Sequence, residues 1–170
     1  VRASVGFLGL AAWMLTRPAR LRVRPRDLPF FALYGAVSIA LFQFVYFATL
    51  ERTSLSIAAA LLYTAPAFVV LIARFWGGEP LTRTRVGALA LVLTGCFLVT
   101  GALRMIATGQ ARITASALGF GLASGLTYGL YTIFGKHALR RYDPAQTVFF
   151  AFAFGALFMA FAEPPWRPFM

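Results

Sequence analysis

The stretch LPFFALYGAVSIALFQFVYFATL, residues 28–50, decides the fold class of this chain. It contains no Asp, Glu, Lys, Arg or His over its 23 residues. At about 1.5 Å per residue, an α-helix of this length reaches roughly 34 Å, which is enough to cross a hydrocarbon core of about 30 Å. The stretch therefore predicts a transmembrane helix.

Four more uncharged runs follow, and the composition agrees with them. The chain is 60% hydrophobic and 12% charged, whereas a soluble domain keeps about a quarter of its residues charged. The opening apolar run, residues 3–16, is too short for a crossing, and its basic cluster follows it rather than precedes it as in a signal peptide. We predict an all-α, polytopic transmembrane helix bundle with one truncated span, 3–16, and five complete spans: 28–50, 53–73, 86–103, 113–135 and 144–162.

The basic residues give this bundle an orientation. Sixteen Lys and Arg, against five acids, produce a net charge of +11, and eleven of the sixteen fall in every second connection. The positive-inside rule puts those connections in the cytoplasm, where they also face anionic head groups of the bilayer. Because no basic face with interleaved aromatic residues exists elsewhere, we expect no nucleic-acid partner. The eleven are Arg17, Arg20, Arg22, Arg24, Arg26, Arg74, Arg83, Arg85, Lys136, Arg140 and Arg141.

Residues that carry catalysis or bind metals are scarce. The chain has one histidine, His137, and one cysteine, Cys96, and no acid lies in the middle of a span. Intramembrane catalysis usually needs buried His, Asp or Glu clusters, or a serine paired with a base. The sequence therefore predicts no enzyme, no metal and no cofactor.

Small residues recur at helical spacing in the span 113–135. Ala117, Gly121, Gly125 and Gly129 repeat every four positions, which lets two backbones approach closely in lipid, and we assign the three glycines to helix packing. A helical projection puts polar side chains beside this stripe, where they line either a cavity or a helix contact. These candidate cavity residues are Ser124, Tyr128 and Tyr131.

Two earlier spans carry further candidates for a substrate cavity. Pro66 lies near the middle of the span 53–73, where it frees the carbonyl of Leu62 and predicts a bend, useful at a gate or simply tolerated as a kink. Tyr63 lies on the polar face of the same span. In the span 28–50 we select Gln43 and Tyr46, which either line a cavity or hydrogen-bond between helices.

The stretch from Phe31 to Gly101, above all LLYTAPAFVVLIARFWGGEPLTRTRVGALALVLTGCFLVTG at residues 61–101, resembles the membrane domain of the EamA family in the drug/metabolite transporter superfamily. The segment 115–162 resembles the opening of the second repeat of that family. The matching features, in order, are the small residues Ser54, Ser56 and Ala58 to Ala60, then Pro66, Gly78-Glu79, Gly87 and Gly95, and in the second segment Gly119, Tyr128, Lys136 and Asp143-Pro144.

This resemblance implies ten helices in two inverted five-helix repeats around a central cavity. The chain would then cover part of helix 2 to helix 7, with residues 1–103 in the first repeat and 104–170 in the second, and both ends would be truncation points. It implies a multi-pass protein of the bacterial inner membrane that exports a small metabolite, amino-acid-like or drug-like solute by alternating access. Whether the protein forms a homodimer is left open.

Two residues at the predicted cytoplasmic turn are given a structural role. Glu79 follows Gly77-Gly78 and either caps the next helix or pairs with arginines such as Arg74. Two other functions remain as alternatives to export: a membrane scaffold that uses the glycine stripe for assembly, and a lipid flippase on the same fold.

Overall fold

A computed structural model of the chain describes residues 23–78, 80–109 and 114–162. These residues form helices and connections, with no strand among them, so the predicted all-α class is confirmed. A 3₁₀ turn, Pro25–Asp27, opens the first span, and a π-helical turn, Ala36–Leu41, lies between α1 and α2. The helices are α1 (Leu28–Gly35), α2 (Phe42–Leu50), α3 (Leu55–Leu62), α4 (Ala65–Gly77), α5 (Arg83–Val99), α6 (Ala102–Ala107), α7 (Ala115–Ala138) and α8 (Pro144–Ala162).

Among the described residues, four helical segments are long and apolar enough to cross a membrane: Pro25–Leu50, Leu55–Phe75, Ala115–Ala138 and Pro144–Phe161. They confirm a polytopic membrane bundle and match four of the five complete spans. The fifth predicted span, 86–103, corresponds to α5, whose 17 residues lie at the lower limit of about 17–25 for a crossing, so that crossing stays a prediction. The apolar run 3–16 lies outside the described residues.

Capping residues in the sequence set several of the helix ends. The side chains of Ser54 and Thr82 accept hydrogen bonds from the backbone of Ile57 and Arg85, which begins α3 and α5. Gly78 ends α4 and has a φ of 64°, and Gly101 separates α5 from α6 with a φ of 67°. Glycine adopts this left-handed conformation without the strain that a Cβ causes, so both breaks follow from the sequence.

The second span is interrupted at Tyr63 and Thr64, between α3 and α4, where the sequence predicted a bend. Pro66 lies in the first turn of α4, a position that proline tolerates because the N–H it lacks would have no helical partner there. The carbonyl of Leu61 accepts hydrogen bonds from the backbone N–H of Thr64 at 3.1 Å and from its hydroxyl at 2.6 Å. Thr64 therefore supplies local partners at the break, as backbone within a membrane span requires.

The chain divides into two compact units, of which the first is Val1–Leu41 with Ile133–Met170. In its described part, α1 and the π-helical turn pack against α8. A methyl group at Gly35 would lie 2.6 Å from the backbone nitrogen of Gly155 and 2.7 Å from the carbonyl oxygen of Ala151. The two helices thus approach until their backbones touch, and only glycine fits at position 35.

The second unit is Phe42–Thr132. The structure places the glycine stripe of α7 against α3 and α4 of the same unit. A methyl group at Gly125 would lie 2.6 Å from the Thr64 hydroxyl, and one at Gly129 would lie 3.2 Å from the carbonyl oxygen of Ala65. Gly121 faces Leu61 at similarly short range. The stripe is therefore filled by a helix pair from its own chain.

Candidate functional site

Four aromatic rings from α2 and α7 meet within the second unit. Phe42 and Tyr46 stack on α2 with ring centroids 5.7 Å apart, and Tyr128 and Tyr131 stack on α7 at 6.5 Å. Phe42 joins the two pairs, because its centroid lies 5.6 Å from that of Tyr128. The spacings of four and three residues put each pair on one helix face. We call Phe42, Tyr46, Tyr128 and Tyr131 the aromatic ladder.

The ladder keeps ring surface available for a ligand. Tyr128 is 48% exposed, and Phe42, Tyr46 and Tyr131 are half-buried. Aromatic faces attract other rings by about 0.5–1.5 kcal/mol per pair, and they attract cations by about 0.5–2 kcal/mol. A surface of this kind binds flat or cationic organic groups weakly and reversibly.

Three other predicted cavity residues lie near the ladder in sequence or on the same unit without joining it. Gln43 is half-buried on α2, directly after Phe42. Tyr63 lies exposed at the end of α3, and its ring contacts no ladder ring among the described residues. Pro66 is placed in the first turn of α4, where it shapes the break described above.

Ser124 lies on the packed side of α7. Its side chain is 0% exposed, and its hydroxyl donates to the carbonyl oxygen of Gly121 at 2.6 Å. One residue further along the helix, Gly125 approaches Thr64. The structure thus gives the Ser124 hydroxyl a partner within its own helix, at the contact of α7 with α3 and α4.

Phe42 is the member of the ladder that the sequence analysis missed. Its position four residues before Tyr46 was the available signal, because this spacing puts both rings on one face. Polar side chains are the usual signal of a cavity inside a span, and phenylalanine is too common in this chain, with 18 copies, for one of them to stand out.

A second cluster lies in the first unit, where the connection from α7 to α8 meets the start of α1. The Tyr142 hydroxyl donates to Asp27 Oδ2 at 2.5 Å, and Arg141 Nη1 lies 3.8 Å from Asp27 Oδ1. The backbone N–H of Arg24 donates to the Tyr142 oxygen at 3.4 Å. Burial raises the pKa of Tyr142, and the hydrogen bond to Asp27 raises it further. No local sequence pattern indicated this cluster, since Asp27 and Tyr142 are 115 positions apart.

The predicted cytoplasmic-turn pair is described only in part. Arg74 lies exposed in the last turn of α4, where a cation interacts favourably with the helix dipole. Glu79 lies outside the described residues. Among the residues that are described, no three His, Cys, Asp or Glu side chains form a group that could hold a metal ion.

The fold and the composition define an integral membrane protein built from a bundle of spanning helices. The model of the EamA-like transporter family matches residues 1–101, which is more than half of the chain. The chain therefore belongs to the EamA-like transporter family, as the sequence resemblance implied. No solved structure matches it.

Two curated relatives extend this comparison beyond residue 101. The chain is 30% identical over 138 residues to a "Probable terminal-alkyne amino-acid exporter" of Streptantibioticus cattleyicolor, covering 81% of this chain and 44% of that protein. It is 29% identical over 124 residues to an "Uncharacterized transporter" of Archaeoglobus fulgidus, covering 71% of this chain and 43% of that protein. The chain thus spans less than half the length of these relatives.

Proposed function

We propose that this chain is part of a secondary transporter that exports a small amino-acid-like, aromatic or drug-like solute across the bacterial inner membrane by alternating access. The single observation that carries the proposal is the aromatic ladder, which offers open ring faces within a family of transporters. The name of the Streptantibioticus relative, an amino-acid exporter, supports an amino-acid-like solute.

The origin of the ladder residues in the chain supports alternating access. Phe42 and Tyr46 belong to the first predicted repeat, and Tyr128 and Tyr131 belong to the second. A solute held between rings of two repeats binds with different energy as the repeats move, and such a difference is what a solute needs to shift the conformational equilibrium. The contact between Phe42 and Tyr128 is the point at which this difference would arise.

The rest of the machinery would come from outside this chain. No acid lies in the middle of a predicted span, so either proton coupling uses a carboxylate outside this chain or the protein is a facilitator. The relatives are more than twice as long as the stretch they share with this chain. We therefore expect transport by the full-length protein, not by residues 1–170 alone.

Solute efflux from proteoliposomes tests this function. Proteoliposomes that contain the full-length protein are loaded with labelled amino acids, purines or cationic dyes in turn. Efflux is measured with and without a proton gradient. We expect saturable efflux of one solute class, lost in Tyr128→Ala and retained in Leu126→Ala. Leu126 is the matched control because it lies on the same helix, is 36% exposed and faces away from the ladder. Folded protein that moves no solute would contradict the proposal.

The scaffold alternative has less support than export. It relies on the glycine stripe of α7 as a surface for a partner helix, but Gly121, Gly125 and Gly129 already contact α3 and α4. Backbones that are in contact leave no room for a second helix at the same stripe. In the efflux experiment, a scaffold predicts no flux from any folded variant.

A further inference from the structure

The first unit contains an open cavity of about 370 Å³ whose described lining residues are Arg24, Asp27, Arg141 and Tyr142. We call it the Asp27 pocket. It is formed where the 3₁₀ turn before α1 meets the connection from α7 to α8. Ligand pockets in proteins have volumes of about 300–1,000 Å³, so this one is large enough for a small ionic group.

Among the described lining residues, Asp27 supplies the one carboxylate, and it already has two partners. Asp27 Oδ2 accepts a hydrogen bond from Tyr142, and Oδ1 faces the guanidinium of Arg141 at 3.8 Å. Its side chain is 21% exposed, whereas that of Arg141 is 62% exposed and keeps donors directed to solvent. The guanidinium of Arg24 makes no ion pair among the described residues. The pocket therefore has donor capacity left and little acceptor capacity.

The charge around the pocket also favours an anion. Arg26 and Arg140 are the sequence neighbours of the lining, and both are exposed. Asp143, at the start of α8, is the only further acid nearby in the sequence. The positive-inside count predicts that this end of the helices faces the cytoplasm, at the level of lipid head groups. That leaflet carries the anionic lipids, and basic pockets between helices on this side bind their head groups.

We propose that the Asp27 pocket binds the phosphate of an anionic phospholipid head group, with the guanidinium groups of Arg24 and Arg141 as donors. Guanidinium matches phosphate geometry through paired N–H donors, which a lysine cannot offer. Asp27 faces the same cavity, and its negative charge opposes the phosphate. The carboxylate thus limits affinity for an anion in this cavity. The site does not depend on the transport activity proposed above.

The test measures binding of radiolabelled phosphatidylglycerol to the full-length protein in detergent, with phosphatidylcholine as the zwitterionic comparison. Titrations at low salt and at about 1 M salt separate binding in the pocket from the general attraction between exposed charges. At about 1 M salt the Debye length is about 3 Å, so that general attraction is screened. Inorganic phosphate is titrated separately to distinguish a lipid site from a free-anion site.

Three variants and one matched control define the expected result. Arg24→Gln and Arg141→Gln each weaken phosphatidylglycerol binding by about tenfold or more at both salt concentrations, as loss of a charged hydrogen bond predicts. Asp27→Asn tightens binding several-fold. Arg26→Gln removes the same charge from the same turn without altering the pocket lining, so it costs at most about fivefold at low salt and nothing at high salt.

Three results would overturn the proposal. Equal losses in Arg24→Gln and Arg26→Gln would reduce the effect to surface charge. Weaker binding in Asp27→Asn, with an unfolding temperature equal to that of the wild type, would show that no anion occupies the cavity. Inorganic phosphate binding as tightly as phosphatidylglycerol would assign the site to a free anion. Arg24→Gln removes no described side-chain contact, so it remains informative even if Arg141→Gln disturbs the connection before α8.

Discussion

The aromatic ladder and the Asp27 pocket differ in the interactions that hold their residues. Ladder rings contact one another through faces and edges, with centroids 5.6–6.5 Å apart and Tyr128 half exposed. In the Asp27 pocket, one carboxylate holds a phenol at 2.5 Å and a guanidinium at 3.8 Å. Ring contacts are weak and can be exchanged for a solute, whereas a charged hydrogen bond fixes two segments. The comparison predicts that ladder variants change transport and pocket variants change stability or lipid binding.

The largest effect is expected from adding a methyl group where α1 and α8 are in backbone contact. In Gly35→Ala, the new methyl group would lie 2.6 Å from the Gly155 nitrogen and 2.7 Å from the Ala151 oxygen, so α1 and α8 must separate. Forcing an extra carbon into packed structure costs about 1–3 kcal/mol, and more where backbone is the obstacle. Thermal unfolding in detergent should show a large loss of stability or no folded protein.

Gly119→Ala is the matched control for that variant. Gly119 is also a helix glycine, but it is exposed, and a methyl group there meets nothing within 4 Å. Its unfolding temperature should stay near that of the wild type. A Gly35→Ala protein as stable as Gly119→Ala would mean that α1 and α8 do not touch through their backbones.

The next largest effect is expected on transport, with little change in stability. Tyr46→Ala removes the ring that stacks on Phe42, and loss of one ring face weakens solute binding by about tenfold if it costs about 1.4 kcal/mol. The solute concentration for half-maximal efflux should rise accordingly, while the unfolding temperature changes little. Tyr46→Phe keeps the ring and should behave like the wild type.

Phe44→Ala provides the comparison on the same helix. Phe44 is exposed and belongs to no ring pair described in the ladder. It loses a ring of similar size from α2, so its efflux should be unchanged. Equal losses from Tyr46→Ala and Phe44→Ala would assign the effect to hydrophobic area and remove the ladder as a binding surface.

The sequence predicted the spans and the glycine stripe but not the Asp27 pocket. Uncharged runs predicted the spans because charged side chains are costly in lipid and a helix satisfies every backbone group there. Gly121, Gly125 and Gly129 predicted a close contact because their spacing is local. Asp27 and Tyr142 carry no such signal. Their pairing requires α1 to pack on α8, and that packing depends on contacts such as Gly35 with Gly155, which no local pattern encodes.

The same limit applies within the ladder. Tyr46, Tyr128 and Tyr131 were selected because polar groups in a span need partners, but their meeting on two helices depends on Phe42, an unremarkable residue in an apolar run. Gln43 and Tyr63 stay predictions as cavity residues. Sequence reasoning identified faces; which faces meet was decided by packing.

A smaller effect on stability is expected at the Asp27 pocket. Tyr142→Phe keeps the ring contact with Phe31 and removes the hydroxyl that donates to Asp27. A hydrogen bond to a charged group contributes about 1.5–3 kcal/mol, and partial exposure brings the expected loss to the lower end. Thermal unfolding should show it, with efflux by the folded protein unchanged. Tyr63→Phe, which removes the hydroxyl of an exposed tyrosine, should show no loss.

The smallest effect is the pH dependence that Tyr142 confers. Its pKa in the folded protein is raised above the ordinary value of 10.0, by burial first and by Asp27 second, so the folded state favours the neutral phenol. The unfolded state loses that proton at lower pH, and the stabilisation from Tyr142 is complete below pH 10.0 and is lost as the pH rises through the folded pKa. Unfolding temperatures measured from neutral to strongly alkaline pH should therefore fall more steeply for the wild type than for Tyr142→Phe above this point. Parallel curves would mean that the phenol has the same pKa in both states and that Asp27 does not hold it.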